Sequence, residues 1–598
     1  MPDRNPSPAK PIAWAAAGDV NAFFGLMLDN VADLLLMVSL LTGVFAFPTD
    51  VAIRYMIPGT AIGVMVGDLL FFWLAIQLAK KSGRSDVTAM PLGVDTPSTF
   101  GMVFFVLGPA FLAAKNAGMN EHDAAIHTWH IGICSIFISG LFKLACSVGS
   151  GWVRKLFPRA GLLGSLTAVA LVLISFLPLL ELLHMPLIGL VALAIILTTL
   201  IARVPLPFKI PGALGSLLIA GGLYYLMRYL ESAQLLPPAL TMPEVHGEIN
   251  PRQALLPYEY LSAFRFQWVT SAMRDSLTYL PVVIPFALAT VVGGIDCTES
   301  ASAAGDDYDT NTVIGIEAVA TLVASLFGGV IQTTPYIGHP AYKAMGGRAA
   351  YTLATALFVG SAGLIGYFGY LYVYIPKPTV FPILIFVGLE ITAQSFRATS
   401  KRHYPAVALA CVPALAALAM IYVDKLVPLG AKLAGTPMEA EVGTLRILAN
   451  GFIVTSLLWS SALAALIDRK LFWGAAFFLS AAVCTTFGII HSPAPGSPLF
   501  LPWDPPPPLT RSASEGAPAE TSAIPSPLAP DVPEKFLGFL PSPNFKTVVP
   551  YVTGYLAVGF LLIVWGGYDH LAHLPQRRPA KKEEDDEDDD AEEEDEEE

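Results

Sequence analysis

Two aspartates, Asp29 and Asp33, stand four residues apart in "DNVADLL", inside a run that is otherwise apolar. At helical spacing they share one face. A carboxylate inside hydrocarbon is costly unless it is paired, hydrated or bound to a cation. The pair is a candidate for proton or sodium coupling, and a polar contact between helices is the alternative. A second group occupies "TTPYIGHPAYKAMGG" (333–347), where an uninterrupted apolar helix would otherwise run. It holds Thr333, Thr334, Tyr336, Gly338, His339 and Lys343 as candidate substrate contacts. His339 precedes Pro340 at a helix start, where an imidazole suits substrate contact and proton coupling alike. Its alternative is a capping or packing role. Lys343 shares its helical face, unless it snorkels to the membrane edge. The third group is Asp95 and Thr96 in "GVDTP". A carboxylate there caps free amides of a helix start or meets a ligand. Were His339 and Asp95 to face each other, they would form a proton-sensitive pair. Asp68, Glu317 and Glu390 are further single acids in apolar surroundings, and the first two hint at an interdomain role.

The elements that must position these residues follow from composition. The chain has 598 residues, 54% hydrophobic and 14% charged, well below the charge of a soluble domain. Apolar runs of membrane-crossing length recur along it. They predict sixteen spans in groups of seven, seven and two. The expected organisation is a cytoplasmic N-terminus (1–18), a first seven-span repeat (19–230), a polar connector (231–275), and a second seven-span repeat (276–467). Two extra spans (468–568) enclose a Pro-rich loop (491–548), and an acidic disordered tail (569–598) follows. Lys and Arg concentrate in alternate loops, among them "KKSGRSD" (80–86), "RATSKRH" (397–403) and "DRK" (468–470). With both termini cytoplasmic, these loops lie inside, as the positive-inside rule requires. No cleavable leader is expected in "MPDRNPSPAKPIAW".

An odd number of spans per half makes the second half enter the membrane from the opposite side. That is the arithmetic of an inverted-topology repeat. The Pro/Gly-interrupted stretches 88–101 and 333–347 both fall third in their half. Matching interruptions point to a transporter's binding site, because freed backbone groups are tolerated only where they line protein or a polar cavity. The formal net charge of −13 says nothing about substrate: fifteen of the carboxylates lie in residues 583–598. No GK[ST] loop, HExxH or GxSxG occurs, and the five cysteines form no CxxC pair. No enzyme activity, metal or cofactor is expected, beyond a coupling H+ or Na+. The expected partners are a small-molecule substrate, lipid and a second copy of the chain as a homodimer, with no nucleic acid.

The block 279–358, "YLPVVIPFALATVVGGIDCTESA…IEAVATLVASLFGGVIQTTPYIGHPAYKAMGGRAAYTLATALF", resembles the xanthine/uracil permeases of the nucleobase/cation symporter family, nearest the hypoxanthine/guanine branch. "AMPLGVDTP" (89–97) resembles that family's third segment. The resemblance implies an all-α membrane protein with 7+7 inverted repeats, core and gate domains, and short strands in segments 3 and 10. It implies a permease for a xanthine-, guanine- or uracil-type nucleobase, coupled to protons or sodium, in the plasma or inner membrane. Where the family places carboxylates, this chain has Thr290 in the eighth segment and Gly338 or His339 in the tenth. An anion carrier of sulfate, bicarbonate or dicarboxylate type on the same fold is therefore the alternative. A non-transporting sensor or scaffold is the third.

Overall fold

The computed structural model describes residues 13–149, 158–235, 250–336, 338–426, 436–493, 499–502 and 543–572. The acidic tail, most of the Pro-rich loop and the first twelve residues lie outside the described residues.

The chain is an all-α polytopic membrane protein, with sixteen successive segments among the described residues. The first seven are α1 (Gly18–Phe45), α2 (Thr49–Ser82), strand β1 (Leu92–Val94) running into α3 (Thr96–Asn116), α4 (Glu121–Ser147), α5 (Arg159–Leu182), α6 (Pro186–Ile201) and α7 (Gly212–Ser232). Short helical turns between 251 and 279 lead to α8 (Met273–Ala303) and α9 (Thr310–Leu326). Strand β2 (Thr333–Pro335) precedes the six-residue α10 (His339–Ala344). Then come α11 (Ala350–Leu364), α12 (Lys377–Arg397), α13 (Lys401–Asp424) and α14 (Phe452–Ile467), followed by α15 (Leu471–Thr486) and α16 (Asn544–Asp569). α11 turns by 91° into Phe368–Tyr374, and Met438–Ala449 meets α14 at 72°. Among the described residues ten helices, or up to twelve spans with the bent pairs, are long and apolar enough to cross a membrane; α6, α9 and α15 are shorter apolar helices.

Helix starts follow their capping residues. Asn120 accepts the Asp123 amide at α4, and Asp309 accepts the Thr312 amide at α9. Proline at the first turn of α3, α6, α10 and α12 begins a helix without wasting an amide donor.

The segments sort into two packed groups. α1–α4 pack with α8–α11, and α5–α7 pack with α12–α14. The first group is drawn tight by small residues. A Cβ on Gly59 of α2 would stand 2.1 Å from the Gly329 amide nitrogen, so only glycine allows that approach. α15 and α16 pack on each other and against α14. Trp459 of α14 donates to the Tyr555 hydroxyl of α16 at 2.8 Å. The exposed Phe560, Leu561, Val564 and Trp565 of α16 form a lipid-facing surface.

Candidate functional site

The two interrupted segments meet. β1 and β2 pair antiparallel, Leu92 opposite Pro335, Gly93 opposite Thr334 and Val94 opposite Thr333. Beyond the three-residue strands the Asp95 amide donates to Gln332 O and the Tyr336 amide to Pro91 O. A two-stranded ribbon inside a helical bundle leaves its outer edges unpaired, and those groups must find partners. Side chains from five helices supply them. Asn30 Oδ1 of α1 accepts the Val94 amide at 2.9 Å, and Asp68 Oδ1 of α2 accepts the Leu92 amide at 3.2 Å. Lys143 Nζ of α4 donates to Thr333 O at 3.0 Å, and the Thr333 amide donates to Thr321 Oγ1 of α9 at 3.3 Å. Cys297 Sγ of α8 contacts Pro335 O at 3.4 Å. The polar residues of these apolar helices thus follow from the helix breaks.

Asp29 and Asp33 lie on this crossover. Asp33 Oδ2 accepts the Thr96 hydroxyl at 2.8 Å, while Asp29 Oδ1 and Asp33 Oδ1 are enclosed without a donor. The Tyr336 hydroxyl, which donates to Val94 O at 3.0 Å, stands beside both. Asp95 caps α3 by accepting the Ser98 amide at 3.0 Å, and its Oδ2 also lies 3.4 Å from Gln332 Nε2. Gln332 Oε1 in turn accepts Ser139 Oγ at 2.6 Å.

Behind β2, Lys143 and Glu317 form an ion pair at 2.8 Å with both side chains fully buried. Thr290 donates to Ala287 O within its own helix and lies beside Glu317. Asp68 and Glu317 each sit in the second segment of their half, next to that half's strand. Both belong to the same packed group, so the expected interdomain role is corrected to one within the core.

His339 and Lys343 go elsewhere. His339 Nε2 lies 3.2 Å from Asp306 Oδ2 and 3.1 Å from Thr88 O, and Lys343 Nζ lies 2.7 Å from Asp306 Oδ1. Arg84 reaches Asp306 at 3.2 Å. The Thr88 amide donates to Asp306 Oδ2 at 3.0 Å, and the Tyr308 hydroxyl donates to Thr88 O at 2.6 Å. This cluster ties the α8–α9 loop to the approach of β1 and to α10. Burial pushes the Asp306 carboxyl up, but the His339 and Lys343 contacts and the Thr88 amide outweigh it and hold it below its ordinary value. The face-to-face pair of His339 with Asp95 is not formed: each has its own partner. Gly338 sits at the turn before α10, with the Tyr342 ring 3.1 Å from where its Cβ would be, and Thr334 is buried in the strand.

Asn30, Lys143, Gln332 and Asp306 were not singled out from the sequence. For Lys143 a signal exists: "GLFKLAC" puts a lysine in the middle of an apolar span, which marks function by default. A recess of about 570 Å³ lies away from the crossover, between Pro281 and Ile284 of α8 and Phe487, Ile489 and Phe500. Asp33, Thr96, Thr333 and Glu317 are all closed off from solvent.

No family model matches the chain, and no curated protein matches it. Among solved structures, it is similar to the transmembrane domain of a cyanobacterium bicarbonate transporter, BicA, at 14% identity and a TM-score of 0.40, covering 68% of this chain and 97% of that one. It is also similar to the murine Slc26a9 anion transporter in the inward-facing state, at 13% identity and 0.36, covering 72% of each. The overall structure of SLC26A9 matches at 13% and 0.41, covering 75% of this chain and 65% of that one. The fold rests on the chain's own elements, apolar helices of membrane-crossing length and two interrupted segments whose strands pair with each other. The resemblance of residues 279–358 to xanthine/uracil permeases is matched by no family model.

Proposed function

We propose that the protein is a secondary active transporter that carries a small anion together with protons. Its site is the β1–β2 crossover, with Asp29, Asp33, Thr96 and Tyr336 on one side and Lys143, Glu317 and Thr333 on the other. The observation that carries this reading is Lys143, the one lysine or arginine side chain fully enclosed among the described residues, bonded to the strand itself. The start of α3 at Thr96 adds the partial positive charge of a helix N-terminus. An anion entering this space meets the charges of Asp29 and Asp33, and like charges in a poorly screened interior repel strongly. Protons on Asp29 and Asp33 remove the repulsion, while Lys143 stays paired with Glu317. Anion and proton therefore enter together, and the core (α1–α4, α8–α11) moves against the gate (α5–α7, α12–α14) once both are bound. Both termini lie on the cytoplasmic side of the plasma or inner membrane, where the Lys/Arg-bearing loops also lie, and the chain works as a homodimer.

The unpartnered acceptors Asp29 Oδ1 and Asp33 Oδ1 favour a second reading, an uncharged ring solute that donates N–H groups, of nucleobase type. Uptake by purified protein in liposomes decides between them. Bicarbonate, sulfate and small carboxylates are compared with uracil, xanthine and guanine, with and without an inward proton gradient. Gradient-stimulated uptake of an anion supports the first reading. Uptake of a nucleobase and of no anion overturns it in favour of the second.

A further inference from the structure

Three oxygens converge on Lys143 Nζ: Glu317 Oε1 at 2.8 Å, Thr333 O at 3.0 Å and Thr321 Oγ1 at 3.5 Å. They come from a helix carboxylate, a backbone carbonyl of the interrupted segment, and a hydroxyl one helical turn beyond the carboxylate. Carboxylate, carbonyl and hydroxyl oxygens are the donors that hard cations take. Carbonyls released by a broken membrane segment are where a transporter holds its coupling cation. The four-carbon stem of Lys143 reaches in from α4, and its ammonium, like the carboxylate, is fully buried.

We propose that this is a monovalent-cation site permanently filled by the protein's own ammonium. Lys143 does from a fixed position what a co-transported Na+ would do: it neutralises Glu317, binds the Thr333 carbonyl and travels with the core. Transport is then independent of Na+, and protons are the coupling ion. A free cation cannot bind without expelling the ammonium. Removing the ammonium leaves Glu317, Thr333 O and Thr321 Oγ1 around a space open to Na+ and its waters. The inference deepens the transporter reading by naming its coupling ion and rests on it for the word transport. The cation site itself stands on geometry alone.

The test is thermal unfolding of the full chain in detergent, in NaCl, KCl and choline chloride at one ionic strength, with no substrate. For the wild-type protein the midpoint is the same in NaCl and choline chloride. Lys143→Ala unfolds at lower temperature in choline chloride, and Na+ raises its midpoint in a saturable manner. Lys143→Ala combined with Glu317→Gln lacks the anionic ligand and loses the Na+ response. A Na+-specific rise in the wild-type midpoint overturns the proposal. So does a folded Lys143→Ala protein that responds to Na+ no more than to choline. Should Lys143→Ala not fold, Lys143→Gln keeps a donor to the Thr333 carbonyl and is read in the same way, and the wild-type comparison stands regardless. Liposome uptake separates the two levels: no uptake of any solute overturns the transporter reading, while the unfolding data still judge the cation site.

Discussion

Gly93 offers the sharpest test of the crossover. It pairs with Thr334 at the centre of the ribbon. A Cβ there would lie 2.4 Å from the Tyr336 hydroxyl oxygen, 2.5 Å from its Cζ and 2.7 Å from Asn30 Oδ1. Ordinary contact begins near 3.4 Å, so in Gly93→Ala the Tyr336 ring must retreat by about 1 Å, a shift large enough to count as overpacking. The retreat draws Tyr336 away from Val94 O and Asn30 away from the Val94 amide, contacts now at 3.0 and 2.9 Å. Each buried backbone group left without a partner costs about 1–3 kcal/mol, and forcing a methyl into a packed interior adds about 1–3 kcal/mol. Gly93→Ala should therefore lose about 3–9 kcal/mol of stability at the crossover. At about 1.4 kcal/mol per decade, even a part of that borne by substrate binding lowers affinity at least about tenfold. The assay pairs thermal unfolding with initial uptake rates in liposomes. Adding Tyr336→Ala to Gly93→Ala restores part of the melting temperature, because the largest clash is gone, but not uptake. A Gly93→Ala protein that melts and transports as the wild type does would refute the placement of Tyr336 and Asn30 against β1.

Asp33→Asn mimics the protonated acid while keeping an oxygen for the Thr96 hydroxyl; net uptake should lose its stimulation by a proton gradient while substrate exchange survives, as paired gradient and counterflow assays would report. Breaking the buried pair with Lys143→Met alone should cost about 3–5 kcal/mol, and adding Glu317→Leu should recover most of it; equal destabilisation by the single and double variants would contradict the coupling. Asp306 is held below its ordinary value in the folded protein, so its stabilising effect is full above the unfolded value and is lost as pH falls through the folded one. Asp306→Asn should thus melt lower than the wild type at pH 6, with the gap closing below about pH 4. His339→Ala should weaken the same loop attachment and leave substrate selectivity unchanged, measured as relative uptake of competing solutes.

Much of the architecture was legible in the sequence because a bilayer leaves few options. Long apolar runs with basic loops between them fix a multi-pass helical bundle, and the Pro/Gly interruptions at 88–101 and 333–347 fix where helices cannot continue. Asp29, Asp33, Asp95, Thr96 and Tyr336 stood out because polar groups in hydrocarbon demand a reason, and the fold brings them together. Pairing could not be read from position along the chain. His339 sits at a helix start, yet its ring turns to Asp306, 33 residues earlier in the chain, because a loop carboxylate is closer than the ribbon. Lys143 meets Glu317 across 174 residues: in a bundle, a charge is compensated by whichever helix lies alongside. The sequence by itself determined which residues needed a partner in the membrane. Only the packing of α4 against α9 and of β1 against β2 decided which partner each one found, because those contacts depend on helices far apart in the chain lying side by side.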